Sequence, residues 1–483
     1  MHDAVIIGGG ICGCSLLYSL SRYRLDVLLV EKENDVSVGT TKANSAIVHA
    51  GYDPKPGTYM AKTNVEGNAL IRQLCSDLDV HYKNCGSLVI GFDENDRAAI
   101  NKLYDRGVQN GVPGLRIVEH AELHELEPAL SADALFALYA PSAGIVCPWE
   151  LAIAQAECAV QGGAKIQFNT EVTGIEAREG GGFIVETSQG PVETRFLINA
   201  AGTSTDKIEQ MLGQYTHSIK HSRGEYYLLD NTEGLLVRHV VFQCPTPQGK
   251  GVLVAPTVHG NIIAGPNSDP VEGDDLRTTE EGLSYVRRLA VKSVPSINFR
   301  ESIRNFAGVR ANTEFDEFIV GPSKEYPAFI NMAGIKSPGL SSAPAIAEDV
   351  VKLLAEGGLK LEKNPSFVSR RKVLRFKALN EQERAEAIRK NPAYGTIVCR
   401  CMSITEGEII DALHRPIAPR SVDAVKRRCD PGMGRCQGGF CGSRVMAIIS
   451  RELGLPQEDI PQDRVGMDII IGETKRAEGR AGA

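Results

Sequence analysis

The start of the chain constrains its fold more than any other stretch. Residues 3–7 are an apolar run of strand length, and Gly8-Gly-Gly10-Ile-Cys-Gly13 follows at once in a G-x-G-x-x-G pattern. Residues 11–23 read as a helix with Leu16, Leu17 and Leu20 on one face, and residues 26–30 read as a second strand ending at Glu31. Gly8 permits a tight turn, Gly10 lets the backbone approach a pyrophosphate, and Gly13 lets helix pack on strand. The helix N-terminus then faces the phosphates. Glu31, 18 residues past Gly13, is placed to accept hydrogen bonds from a ribose diol. Strand, turn, helix, strand and acid in this order separate a dinucleotide site from an ordinary glycine-rich turn.

The same apolar start does not read as a signal peptide. Met1-His2-Asp3 carries no Lys or Arg, and glycines interrupt the run at fixed spacing. No later stretch reaches the ~18 unbroken apolar residues of a membrane span. With 483 residues the chain has room for about three domains. Hydrophobic residues at 42% and charged residues at 23% are ordinary for a soluble globular protein, which excludes disordered, collagen-like and coiled-coil chains. Lys and Arg total 53 against 60 Asp and Glu, a net charge of −7, so no nucleic-acid partner is expected. The expected location is the cytoplasm, where clustered cysteines bind metal or react more often than they form disulfides.

The twelve cysteines divide sharply. Seven, at 12, 14, 75, 85, 147, 158 and 244, are scattered and suffice as small buried hydrophobes. The other five, Cys399, Cys401, Cys429, Cys436 and Cys441, crowd a window of 43 residues. Cys399 and Cys401 form C-x-C, and after 34 residues Cys436 and Cys441 form C-x4-C. Four thiolates so gathered hold either zinc or an iron–sulfur cluster, and this C-x-C is slightly atypical for zinc. Gly432, Gly434, Gly438, Gly439 and Gly442 free backbone N–H groups to reach sulfur. Thr405 and Glu408 read as a capping box before a helix near 406–414, and residues 421–428 and 441–453 read as two further helices.

The glycine motif alone does not separate NAD from FAD; other segments favour FAD. Residues 171–176 read as a strand, residues 195–202 as a buried strand ending in small residues, and residues 331–341 as a Gly/Ser loop opening a helix near 343–355. Such a helix start suits the anionic pyrimidine edge of a reduced flavin. Strand-like runs at 226–230, 252–255 and 261–264 lie between turn residues.

Together these segments resemble the glycine oxidase and D-amino acid oxidase superfamily. The nearest branch is that of FAD-dependent glycerol-3-phosphate dehydrogenases and L-2-hydroxyglutarate oxidases. The resemblance rests on Gly39-Thr-Thr-Lys-Ala-Asn-Ser-Ala-Ile-Val-His-Ala-Gly51, Asn199-Ala-Ala-Gly202, Phe306-Ala-Gly-Val-Arg310 and Gly334-Ile-Lys-Ser-Pro-Gly339, and covers residues 1–356. It implies an α/β fold: an FAD-binding Rossmann-like domain (1–80, 149–215 and 330–356) with an interleaved, mostly antiparallel β substrate domain (81–148 and 216–329). Residues 357–395 then form a linker, with the basic run Arg370, Arg371, Lys372, Arg375 and Lys377 expected on a solvated helix. FAD contacts are implied at Gly8, Gly10, Gly13, Glu31, Thr40, Thr41, Ser45, Val172, Ala201, Gly202, Gly334, Pro338, Gly339 and Leu340. His49 is implied beside the flavin as the base for a substrate hydroxyl, Arg310 over the substrate anion, and Ser337 as a further contact. Lys336 in the same loop is not separable from a solvated charge.

Residues 396–455 resemble the bacterioferritin-associated ferredoxin-like 2Fe-2S domain, in the version fused to anaerobic glycerol-3-phosphate dehydrogenase catalytic subunits. That resemblance makes this a small helical Fe-S domain with Cys399, Cys401, Cys436 and Cys441 as ligands and leaves Cys429 unplaced. A charged tail, 456–483, holds an apolar patch at 467–471 able to pair with a partner or with the protein's own surface. Joined in one chain, the two cofactors imply a dehydrogenase that oxidises sn-glycerol 3-phosphate to dihydroxyacetone phosphate. Its electrons would leave through the cluster to a redox partner subunit or a quinone-linked membrane protein, at the inner face of a membrane if such a partner is bound there. The alternatives are a 2-hydroxy acid such as L-2-hydroxyglutarate as substrate, an amino-acid or opine dehydrogenase, and a non-catalytic electron-transfer subunit.

Overall fold

The predicted first strand, His2–Ile7, lies in the middle of a parallel sheet. It pairs in parallel with Val192–Asn199 on one side and Val27–Val30 on the other, so that Ile7 stands between Asn199 and Val30. Lys165–Gln167 extends the sheet beyond Val27–Val30, and Phe329–Ala333 pairs in parallel with the C-terminal half of Val192–Asn199. The N-terminal half of that strand turns antiparallel with Phe183–Thr187, which pairs in turn with Val172–Ala177. Residue alternation divides the two faces. Ala4, Ile6 and Leu29 join the core made by Leu16, Leu17, Ile346, Val350 and Leu354. Val5, Ile7, Leu28 and Val30 join Val172, Phe183, Leu197 and Phe329 on the opposite side. A sheet covered on both faces is what the unbroken apolar runs require.

The computed structural model describes residues 1–245 and 251–472. It divides into two units, one of residues 1–32 and 36–373, the other of residues 33–35 and 374 onward. The first unit also holds a nine-stranded sheet, in which every pair is antiparallel except Val240–Gln243 with Ser87–Gly91. Its longest pairing runs Lys220–Leu229 against Ser302–Asn312, with Ser222 opposite Arg310 and Tyr226 opposite Phe306.

Two local expectations are corrected. The first helix stops at Leu20 rather than at residue 23, because the chain beyond it is drawn into pairing with a later segment: Tyr23 bridges Lys363 and the Arg24 N–H donates to the Glu362 carbonyl. The basic run at 370–377 is not a solvated helix. Its backbone is tied down by hydrogen bonds from the Arg371 N–H to the Asp77 carbonyl and from the Val373 N–H to Asp79 Oδ2, and half-buried Arg371 pairs with buried Glu157 at 2.9 Å. The helix in this stretch is Glu381–Lys390, opened by a capping box of Asn380 and Glu383.

The second unit packs Glu406–Leu413, Val422–Cys429 and Gly442–Leu453 around Ile409, Leu413, Val425, Val445 and Ile449, beside the hairpin Ile397–Cys399 and Ile404–Thr405. The expected capping box of Thr405 and Glu408 is present. Asp35, which belongs to this unit, is buried between Arg428 at 2.8 Å and Arg427 at 3.1 Å, and Arg427 also reaches Asp463 at 2.7 Å. The apolar patch pairs in part with the protein's own surface, since Asp468 bridges Pro461. The end of the tail, 473–483, lies outside the described residues. No helix among the described residues is long and apolar enough to cross a membrane.

Candidate functional site

Backbone crowding shapes the phosphate loop. Gly8 has φ +107°, and a Cβ there would lie 2.6 Å from the Ala200 carbonyl oxygen. A Cβ at Gly13 would lie 2.0 Å from the Gly8 carbonyl oxygen. The helix Ile11–Leu20 starts at Gly10, which has no side chain to cap it, so its first turn offers backbone N–H groups and a positive dipole end to an anion. Thr41 Oγ1 accepts the Ile11 N–H at 2.9 Å from the side, and Thr40 Oγ1 donates to the Val309 carbonyl at 2.8 Å. Glu31 Oε2 accepts the Gly9 N–H at 2.5 Å, so the acid also props the loop. The Glu31 carbonyl accepts the Thr170 N–H, which brings Val172 to the same strand end. Ala201 and Gly202 follow the strand against which Gly8 is packed. This glycine cradle, uncapped helix start and adjacent acid fit a dinucleotide such as FAD.

The segment 40–49 crosses from this loop to a polar cluster. Ser45 Oγ lies 3.1 Å from Tyr226 Oη, and Tyr226 stacks on Phe306 with ring centroids 4.7 Å apart. Tyr226 also hydrogen-bonds Arg310; burial pushes its phenol pKa up, against the opposing pull of Arg310 and Ser45. Arg310 donates to Ser222 Oγ at 3.2 Å and to the Asn267 carbonyl at 3.1 Å. Gly224 makes room for it, since a Cβ there would lie 2.6 Å from an Arg310 nitrogen.

His49 ends the segment. Its N–H donates to Ser341 Oγ at 2.8 Å, and its carbonyl accepts from Asn64 at 2.9 Å and Asn68 at 3.1 Å. Its Nε2 faces Ser337 Oγ at 3.3 Å, and its ring lies against Phe242. Gly334, at φ +64°, turns the chain into this loop, and Pro338 precedes the helix Gly339–Glu356, which carries Gly339 and Leu340 in its first turn. Lys336 makes an ion pair with Asp316 at 3.5 Å. Sequence reasoning brought Ser45, Arg310, His49 and Ser337 to attention but missed Tyr226, Phe242 and Gly224. No local pattern marks them; the antiparallel register of the folded sheet sets Tyr226 four residues from the partner of Arg310 on one strand.

The four expected ligand thiols stand as two facing pairs. Cys401 Sγ and Cys436 Sγ are 3.6 Å apart, and the thiols of Cys399 and Cys441 hydrogen-bond each other. The bond from Cys441 lowers the Cys399 pKa to about 6, against the effect of burial and with help from the N–H groups of Gly432, Met402 and Cys401. Burial acts to raise Cys436, but the Phe440 N–H, the Cys401 thiol and the Gly438 N–H outweigh it and favour its thiolate. Among the described residues no three metal-ligating side chains form one closed group. Two thiol pairs amid converging N–H groups fit a [2Fe–2S] cluster, in which each iron takes two protein thiolates. Cys429 is turned to its own helix, where its thiol donates to the Val425 carbonyl at 3.5 Å, and burial raises its pKa.

Residues 3–353 match the model of the FAD dependent oxidoreductase family, and residues 397–451 match the BFD-like [2Fe-2S] binding domain. The chain is 48% identical to a glycerol 3-phosphate dehydrogenase of Caloramator mitchellensis over 98% of this chain and 99% of that one. A glycerol 3-phosphate oxidase of Mycoplasma genitalium is 33% identical over 76% of this chain and 98% of its own length. The FAD-bound L-alpha-glycerophosphate oxidase of Mycoplasma pneumoniae superposes with a TM-score of 0.73 at 30% identity, covering 76% of this chain and 98% of that one. The phosphate-loop geometry, the paired thiols and these likenesses agree: the chain belongs to the FAD dependent oxidoreductase family, and its cofactors are FAD and a [2Fe–2S] cluster.

Proposed function

We propose that this enzyme oxidises sn-glycerol 3-phosphate to dihydroxyacetone phosphate and passes the electrons to a separate redox protein. The observation that carries this reading is the convergence of a cation, Arg310, with Tyr226 and Ser45 on the chain segment that ends in His49. A phosphorylated alcohol needs both a grip on its anion and a base for its hydroxyl. The similarity to a glycerol 3-phosphate dehydrogenase runs through both parts of the chain.

In this mechanism the Arg310 guanidinium holds the substrate phosphate by charge-assisted hydrogen bonds, and the neutral Tyr226 phenol adds a donor beside it. His49 Nε2 accepts the C2 hydroxyl proton as the carbinol carbon loses its hydride, the substrate hydroxyl taking the place of Ser337 Oγ on that ring nitrogen and Ser337 remaining beside it as a further contact. The clamp on the His49 backbone from Ser341, Asn64 and Asn68 fixes the base in place. Bound FAD supplies the acceptor, at N5, for the hydride, and the cluster supplies a one-electron outlet.

The test is anaerobic titration of the purified holoenzyme followed by visible absorbance. Glycerol 3-phosphate should bleach the flavin while L-2-hydroxyglutarate and amino acids leave it oxidised. Bleaching by 2-hydroxyglutarate alone transfers the assignment to a hydroxy acid, and no bleaching by any of them refutes substrate oxidation.

A further inference from the structure

The two thiol pairs differ in exposure. Cys399 and Cys441 are 1% and 2% exposed, whereas Cys401 is exposed and Cys436 half-buried. The backbone around the outer pair comes from residues 397–405 and 431–444. These two segments contain Arg400, Arg435 and Arg444 and no Asp or Glu, in a chain whose net charge is −7. All three arginines are exposed. Arg400 and Arg435 each precede an outer cysteine, and Arg444 is anchored on the Ile397 carbonyl at 3.0 Å. On the second segment Phe440 is 86% exposed, while its own N–H donates to the Cys436 sulfur.

An exposed aromatic ring and exposed arginines on the two segments that carry the outer thiols have the composition of an interface centre. We propose that this edge, formed by Arg400, Cys401, Arg435, Cys436, Phe440 and Arg444, is the docking surface for an acidic protein that carries a one-electron centre. The proposal rests on the reading of the chain as a dehydrogenase with a protein acceptor. An acidic partner is repelled by the net negative charge of the molecule and attracted to the three exposed arginines of this edge. Docked there, its centre faces the exposed sulfurs rather than the buried ones. Each visit takes one electron from the cluster and adds one to the partner's centre, with no bond made and no proton moved. Two visits match the two electrons of one alcohol oxidation.

The probe is a plant-type [2Fe–2S] ferredoxin, a small acidic carrier, titrated calorimetrically into the intact holoenzyme at low and moderate salt. Binding that weakens with salt is expected. Arg400→Glu combined with Arg435→Glu should weaken it at least about tenfold. Phe440→Ala alone should also weaken it about tenfold. Both variants should keep the FAD and cluster spectra and the bleaching of the flavin by substrate, which shows that they fold. No binding, or binding unchanged in the variants, overturns the proposal. So does loss in the variants of binding to phosphatidylglycerol vesicles, or of self-association, with ferredoxin unaffected. Flavin that fails to bleach while ferredoxin binding still responds to the variants overturns the substrate reading and leaves the docking surface standing.

Discussion

His49 and Arg310 divide the proposed chemistry between proton and anion, and the division is measurable. His49 is held by its backbone, so a substitution of its ring leaves the loop intact. His49→Asn should slow flavin reduction in stopped flow by about 10²–10⁴-fold with little change in KM. Arg310→Ala should act the other way, raising KM by about one to two orders of magnitude, the worth of a hydrogen bond to a charged group, with FAD content retained. The same kinetic signature from both variants would show that they do not have separate roles. Tyr226 sits between these functions, and because burial raises its phenol pKa it stays protonated and remains a donor across the working pH range.

Among elements, the helix Val422–Cys429 illustrates a structure that depends on one buried acid. Ser421 caps its start, accepting the Ala424 N–H at 3.1 Å, and its last turn carries Arg427 and Arg428 onto Asp35. Burial alone would raise the Asp35 pKa, but the two guanidiniums overcome this and hold the carboxyl below its ordinary value. A folded pKa below the unfolded one gives stability that is present above about pH 4 and is lost as pH falls through the folded value. Asp35→Asn removes the carboxylate that buried Arg428 and Arg427 share, leaving Arg427 its bond to Asp463, and should cost about 3–5 kcal/mol. Urea unfolding, followed across pH, should show a lower midpoint at pH 7 and a weaker acid dependence than the native chain. An unchanged midpoint would mean that Arg427 relies on Asp463 instead.

At the scale of the whole molecule, each unit supplies one cofactor site, and the two sites handle electrons differently. One accepts a hydride's two electrons and the other carries a single electron. Cys401→Ser combined with Cys436→Ser removes the outer thiol pair while the buried one stays. Iron content should fall, flavin bleaching by substrate should persist, and reoxidation by a protein acceptor should drop by at least about tenfold, by analogy with the loss of other metal-site contacts. Unaltered reoxidation would mean that the flavin itself meets the acceptor.

The local features were legible in the chain itself. The phosphate loop follows from steric rules acting within one strand, one turn and one helix, and Gly8 and Gly13 sit where those rules require. The capping box at Thr405 and the four-cysteine set are likewise short-range patterns. The apolar run at residues 3–7 was legible as a strand, although only the folded sheet shows that both its faces are buried and which core each residue joins. Tyr226 was not legible, because its place beside Ser45 and Arg310 depends on partners far away in sequence and on a register set by a long antiparallel pairing. Arg371 looked like a solvent charge until its partner Glu157, on a distant helix, came beside it. The sequence by itself determined the nucleotide-binding start and the crowding of five cysteines near its end, since these are patterns within short stretches of chain. Tertiary structure alone decided the lining of the candidate substrate site, the two-pair arrangement of the thiols and the burial of the ion pairs, because each requires distant segments to meet in one register.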